Sequence, residues 1–306
     1  MSAAAIPSEV LGEVDRTASA MTLSCFSVDV EEYFHCEAFH RSVPRGDWTT
    51  LERRARPFIE RIAARLHETG NRATFFVLGW MVESLAPLLR DLHAAGHEIA
   101  CHGDGHDHLS RLTPQAFRDD LRRARDRLAA CIGARIEGYR APTFSLTRRT
   151  AWAVEILAGE GFTYDSSVFP IHHDRYGVPE APCDPFWLDR PGGLLELPPL
   201  TLDWGIVRIP VGGGGYLRLL PAAALRAALA ARRREGRAAM LYIHPWEFDE
   251  HQPRLPASAL AQWRHRVNLG ATEGKVARLL EEFRFTTARS IAAAIRAAGD
   301  PPLFRL

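Results

Sequence analysis

Residues 73–101 read ATFFVLGWMVESLAPLLRDLHAAGHEIAC. Their first six residues are an apolar, aromatic-rich run of strand length. Leu85, Leu88, Leu89 and Leu92 then recur at helical spacing, Gly96 closes the helix, and HEIAC (97–101) starts another strand at once. A strand, an amphipathic helix and a strand in so short a span predict a parallel pair with the helix laid across one face.

The same rhythm continues on both sides. LSCFSVDV (23–30) reads as a buried strand, and Pro57 opens a helix whose apolar Ile59, Ile62, Ala63 and Leu66 end at Gly70. Thr113-Pro114, a hydroxyl cap followed by a first-turn proline, starts a long helix ending at Gly133. Strand IEGYR (136–140), a helix begun by Thr147, and strands at FTYD (162–165) and LLELP (194–198) follow. The chain then gives a helix across 221–235, strand AMLYIH (239–244), a helix near 272–283, strand FRFTT (283–287) and a last helix from Ser290. Six or more such alternations predict an α/β fold, a parallel sheet with helices outside it, closed or doubly wound. Only residues 166–220, rich in Pro, Gly and Trp, break the rhythm; they are expected to form long loops or a small β insertion.

Composition narrows the function. Of 306 residues 46% are hydrophobic and 25% charged, ordinary for a globular chain, and the length fits one large domain or two. A formal charge of +1 and a pI near 7.8 give no nucleic-acid footprint. The arginine runs RRARDR (122–127) and ARRREGR (231–237) fall in helical patterns and read as solvated helix faces. Five cysteines without a CxxC pair fit reduced thiols in a cytosolic protein. No run approaches the ~20 apolar residues of a membrane span. Residues 1–21 read as a disordered tail rather than a signal peptide, so a cytoplasmic location is expected.

The reactive side chains lie at strand ends. Asp29, Glu31 and Glu32 follow the first strand, His102 and His106 the third, Arg140 the fourth, and His244 ends MLYIH. In a β/α barrel those carboxyl ends share one face, where active sites are built. HGDGH (102–106) lacks the glutamate of a helical zincin pair, and its two glycines disfavour helix, so a turn aiming both imidazoles at one point is expected. Two neutral imidazoles and a carboxylate suit Zn²⁺ or a similar divalent ion with a position left for water. If the strand continues, Asp29 and Glu31 share a side and Val30 faces away; one carboxylate can ligate while the other acts as base. His244 opposite them is a natural general acid.

Five pieces in order, SVDVEE (27–32), HGDGH (102–106), RAPTFS (140–145), ELPPLTLDW (196–204) and LYIH (241–244), make the chain resemble polysaccharide deacetylases with a NodB-type domain, carbohydrate esterase family 4, over about residues 23–290. SVDVEEYFH, YDSSVFP, GGGGYLRLLP, HPWEFD and RHRVNLG resemble the subgroup associated with exosortase and exopolysaccharide loci. The resemblance implies a distorted, incomplete (β/α) barrel with an open glycan groove and a loop-rich insertion around 166–220. It implies a single domain over 22–306, with a family-specific C-terminal extension over about 205–300.

By the same resemblance Asp29 is the base, His102 and His106 are metal ligands, Arg140 holds the base and His244 is the acid. Val30 stands where the family usually has its metal-binding aspartate, which makes Glu31 the candidate third ligand and Glu32 the fallback. Gly103 replaces the family's usual Ser or Thr. Trp204 is the expected groove tryptophan, with Trp246 and Tyr33 as alternatives. The implied cofactor is one divalent ion, Zn²⁺ by preference, with Co²⁺, Ni²⁺ or Fe²⁺ possible. The implied reaction is hydrolysis of N-acetyl groups on a glycan containing N-acetylhexosamine: water is activated at the ion, Asp29 takes its proton, the Thr143 backbone N–H helps hold the carbonyl oxygen, and His244 protonates the amine. Association with a polysaccharide assembly machinery is a further implied partner. Two other readings stay open: a hydrolase of a small amide or ureide, and an inactive glycan-binding scaffold. The retained Asp29, His102, His106, Arg140 and His244 argue against the second.

Overall fold

The computed structural model describes residues 24–205, 207–299 and 301–306; the expected tail over 1–21 lies outside the described residues. The strands are β1 Ser24–Val30, β2 Ala73–Val77, β3 Glu98–Cys101, β4 Gly138–Tyr139, β5 Tyr164–Asp165, β6 Phe186–Trp187, β7 Leu195–Glu196, β8 Thr201–Asp203, β9 Arg208–Pro210, β10 Ala239–Ile243 and β11 Phe285–Thr286. The helices are α1 Ala55–Glu68, α2 Val82–Ala94, α3 Pro114–Ile132, α4 Trp152–Gly159, α5 Gly214–Leu219, α6 Ala222–Arg234, α7 Ala259–Arg266, α8 Leu269–Glu282 and α9 Ala288–Ala298.

The main sheet runs β10-β1-β2-β3-β4-β5-β7-β6, with β11 paired to the start of β1. Every pairing is parallel except β6–β7. The sheet curls into a half-barrel whose edge strands, β10 and β6, do not pair with each other among the described residues. Irregular backbone lies along the free edge of β10 instead: Leu200 N–H donates to the Met240 carbonyl at 2.9 Å, and Tyr242 N–H to that of Gly212 at 2.7 Å. This is the distorted, incomplete (β/α) barrel expected.

Strand alternation sorts the side chains into an outer and an inner column. On β1, Phe26, Val28 and Val30 face the helices and join the large core with Phe75 and Val77 of β2 and Ile99 and Cys101 of β3. Cys25, Ser27 and Asp29 take the other side. Cys25 and Met240 near the amino end, and Phe76 and Ala100 at the level of Asp29, form one cluster with Ala288, Ile291 and Ala292 of α9, which plugs the amino end. The inner column of β1 therefore climbs from an apolar plug to a polar mouth.

Local signals explain most boundaries. Thr113 Oγ1 accepts from Ala116 N–H at 3.2 Å, Pro114 occupies the first turn, and Gly133 at φ +69° ends α3. Thr113→Ala is expected to cost about 1 kcal/mol, read as a lower urea midpoint at unchanged slope. α1 begins at Ala55, ahead of Pro57, because proline is tolerated in the first turn and the Glu32 carboxylate accepts from Arg54 and Ala55 N–H at 2.8 and 3.0 Å. Thr287 belongs to no strand; it caps α9 by accepting from Ser290 N–H at 3.1 Å. The 166–220 insertion contains β6, β7, the separate β8–β9 hairpin and α5, with loops between them. Among the described residues no helix is long and apolar enough to cross a membrane.

Candidate active site

The mouth of the barrel gathers residues up to 215 positions apart in sequence, from Asp29 at the end of β1 to His244 just past β10. His102 directly follows β3 and Arg140 directly follows β4. Glu31 continues the inner column of β1 past its end. Its Oε1 lies 3.0 Å from His102 Nε2 and 2.8 Å from His106 Nε2. The three ligand atoms lie within 4.8 Å of one another, and all three residues are buried. His102 turns its other nitrogen, Nδ1, to the Arg140 carbonyl at 2.8 Å, which fixes the tautomer that leaves Nε2 free to ligate. Burial pushes the Glu31 carboxyl up, but His106, His244 and His102 around it outweigh that and hold it well below the usual range.

Glu32, chemically identical to Glu31, serves α1 instead. Burial pushes its carboxyl up to about 7 against the two N–H groups it accepts from. Gly103 sits at φ +77°, and a Cβ there would meet Asp120 Oδ2 at 3.1 Å. Asp120 of α3 supplies the anchorage of the loop, accepting from Asp104 and Gly105 N–H at 2.8 and 3.1 Å. Two arginines of the RRARDR run serve the same loop: Arg127 and Arg123 reach the Asp104 carboxylate at 2.9 and 3.4 Å.

Arg140 is fully buried. Its Nη1 donates to Asp29 Oδ1 at 2.6 Å and to Ser27 Oγ at 2.9 Å, its Nε to the Ser166 carbonyl at 3.1 Å, and its Nη2 to Ser166 Oγ at 2.9 Å. The guanidinium lies 4.0 Å above the Phe76 ring. Asp29 Oδ2 is left facing His244, whose Nε2 is 3.9 Å from it and 3.9 Å from Glu31 Oε1.

Two residues the sequence reading missed stand behind His244. Glu247 Oε2 accepts from the His244 N–H at 3.0 Å and lies 3.4 Å from its Nδ1. Glu247 Oε1 in turn accepts from Arg218 Nε at 2.8 Å, and Arg218 is pinned by the carbonyls of Arg264, His265 and Val267. A glutamate three positions after a strand-end histidine, in HPWE, was the available signal; nothing local points to Arg218. Burial pulls the His244 imidazole down, yet Glu31, Glu247 and Asp29 outweigh it and raise it to about 9.

Asp29, Glu31, His106, Thr143 and His244 line one open cleft of about 610 Å³. Thr143 takes a left-handed φ of +57°, a conformation costly outside glycine and typical of functional sites. Trp204 is not among the lining residues; it stands 68% exposed at the tip of the β8–β9 hairpin. Tyr33 does not line the cleft either; it is buried in a cluster with Phe34, Trp48 and Trp246. Trp246 does line the cleft, its ring stacked on His244 at 4.9 Å and 23°.

A family model described as polysaccharide deacetylase matches residues 48–160, and one described as a domain of unknown function (DUF3473) matches 166–293. The first takes in His102, His106, Arg140 and Thr143, the second His244 and Glu247; Asp29 and Glu31 precede both. The chain is 33% identical to a chitooligosaccharide deacetylase of Bradyrhizobium sp. over 126 residues, 41% of this chain and 57% of that protein. It is 29% identical to the peptidoglycan deacetylase of Helicobacter pylori over 102 residues, 33% of each. The matches thus span between a third and little more than half of those relatives. A solved structure from Mycobacterium smegmatis, described as a polysaccharide deacetylase, shares the fold with a TM-score of 0.63 over 92% of each chain at 22% identity.

Proposed function

The chain carries a polysaccharide deacetylase domain of the NodB type, carbohydrate esterase family 4, and from that premise we propose that it is a metal-dependent hydrolase. It removes N-acetyl groups from N-acetylhexosamine residues of a bacterial exopolysaccharide or its precursor and releases acetate. The observation that carries this reading is the donor set Glu31–His102–His106, of which Glu31 and His106 line one cleft with Asp29 and His244.

The donor set suits a divalent ion: two imidazoles, one of them locked in its ligating tautomer, and one carboxylate converge, and Glu31 and His106 of the set border the open cleft. When bound there, such an ion, Zn²⁺ by preference, supplies Lewis acidity toward the acetyl carbonyl and a water of lowered pKa. The remaining chemistry belongs to the chain. Asp29, fixed through Oδ1 by Arg140, receives the water's proton at Oδ2. The Thr143 N–H, presented by its left-handed turn, is the donor for the carbonyl oxygen as it gains charge. His244 gives its Nε2 proton to the sugar nitrogen as the C–N bond breaks, and Glu247 holds the ring from the Nδ1 side. Water's oxygen ends on the acyl carbon as acetate, and the sugar leaves as the free amine.

Acetate release from N-acetylglucosamine oligomers, measured with metal content, tests the proposal. About one divalent ion per chain is expected, with activity abolished by a chelator and restored by adding metal back. Full activity in metal-free protein, or metal with no acetate from any acetylated glycan, overturns it.

A further inference from the structure

Resting on the deacetylase reading, we propose that the outer half of the cleft binds an anionic sugar unit next to the acetamido sugar, with Arg175 taking its carboxylate or phosphate and Trp263 stacking under its ring. The inner charges of the cleft are already matched. Asp29 has Arg140, Glu247 has Arg218, and Glu31 belongs to the ligand set with the two histidines. The remaining charged lining is His172, His173, Arg175 and Arg264 with Asp174 and Glu37, and Glu37 is paired with Arg111. Asp174 is engaged by Arg264 at 3.5 Å. Among the described residues the Arg175 guanidinium makes no ion pair, although it borders the cleft and two neighbouring cavities.

The backbone of Arg175 is held from two sides. Its N–H donates to His173 Nδ1 at 3.2 Å, and its carbonyl accepts from His108 Nε2 at 3.4 Å. His108 belongs to the histidine-rich stretch after β3, and the metal site makes no use of it. Its Nδ1 accepts from Ser110, which leaves the proton on Nε2. The His173 ring stacks on Tyr176 at 3.8 Å and 16°, stiffening the loop. α7 lines the same cleft with Trp263, 54% exposed, as does Leu219 at 48%, and the adjacent Arg264 reaches Asp174, the neighbour of Arg175. A half-exposed indole offers a flat apolar face to a pyranose ring. An unengaged guanidinium on the same cleft matches carboxylate or phosphate in a bidentate fork. A neutral glycan would use the first and leave the second idle.

The test compares three oligosaccharides: a neutral N-acetylglucosamine tetramer, a tetramer alternating N-acetylglucosamine with glucuronate, and N-acetylglucosamine units joined by phosphodiesters. kcat/KM for acetate release is measured on the parent protein. Equilibrium binding is measured separately on Asp29→Asn by tryptophan fluorescence. At least one acidic substrate is expected to exceed the neutral one about tenfold, less so as salt rises, and the arm that does so identifies the anion. Arg175→Gln should bring that ratio toward one, Arg175→Lys should keep part of it, and Trp263→Ala should raise KM. Acetate released with no acidic preference, or a ratio unchanged in Arg175→Gln, overturns the subsite and leaves the deacetylase standing. No acetate from any substrate, with Arg175-dependent binding of the acidic one, overturns the deacetylase and leaves the subsite.

Discussion

The Asp29→Asn protein is expected to hold about one divalent ion per chain, as the parent does, and to release acetate about 10³-fold more slowly. Asparagine keeps the shape of aspartate, and its Oδ1 can still accept from Arg140 Nη1, so the barrel mouth keeps its geometry. Asp29 supplies no atom to the Glu31–His102–His106 donor set. What is lost is the carboxylate oxygen that faces His244, the one assigned to the proton of the attacking water in the proposed mechanism. His102→Ala separates the two functions from the other side: it removes an imidazole whose two nitrogens join the ligand set to the Arg140 carbonyl, and metal and turnover should fall together. Elemental analysis beside single-turnover acetate release reads both. An Asp29→Asn protein that loses its metal, or turns over at the parent rate, refutes the assignment of Asp29 as base.

The frame of the molecule was legible because periodicity reports which face of an element is buried. The leucines of α2 and the apolar run of β2 each encode one face, and Asp29 and Glu31, two apart, had to point the same way. Strand ends then carried His102, Arg140 and His244 to one mouth without any local clue that they would meet. Choices between chemically equal neighbours were not legible. Glu31 and Glu32 differ only in that the amino end of α1 arrives beside Glu32 and supplies two N–H groups. Trp204 closes a motif-like stretch, yet the β8–β9 hairpin pairs as its own two-stranded sheet and its turn carries the indole out to solvent. α5 was hidden because GGGG (212–215) argues against helix. That run is demanded by proximity: a Cβ on Gly214 would come 3.0 Å from Tyr242 Oη, with φ at +54°. Arg218, just beyond, reaches Glu247 only through tertiary structure.

Arg140→Met should be the most damaging substitution for the fold, lowering stability by about 3–5 kcal/mol and abolishing turnover. The cost comes less from what Arg140 contributes than from what its loss abandons. Asp29 would remain as a carboxylate 2% exposed, and Ser27 and Ser166 would lose a donor inside the barrel. Methionine fills much of the space above Phe76 but donates nothing. Arg140→Lys keeps the charge and should recover part of the stability, yet one ammonium cannot serve Asp29, Ser27 and both acceptors of Ser166 with the guanidinium's geometry. The double variant Asp29→Asn with Arg140→Met decides between the two sources of the loss. If the cost is an orphaned charge, removing the carboxylate relieves it, and the double variant should be more stable than the sum of the two single effects by about 1–3 kcal/mol in urea unfolding. If the effects simply add, the barrel depends on Arg140 for packing and not for neutralising its base. The pairing would then be catalytic geometry alone.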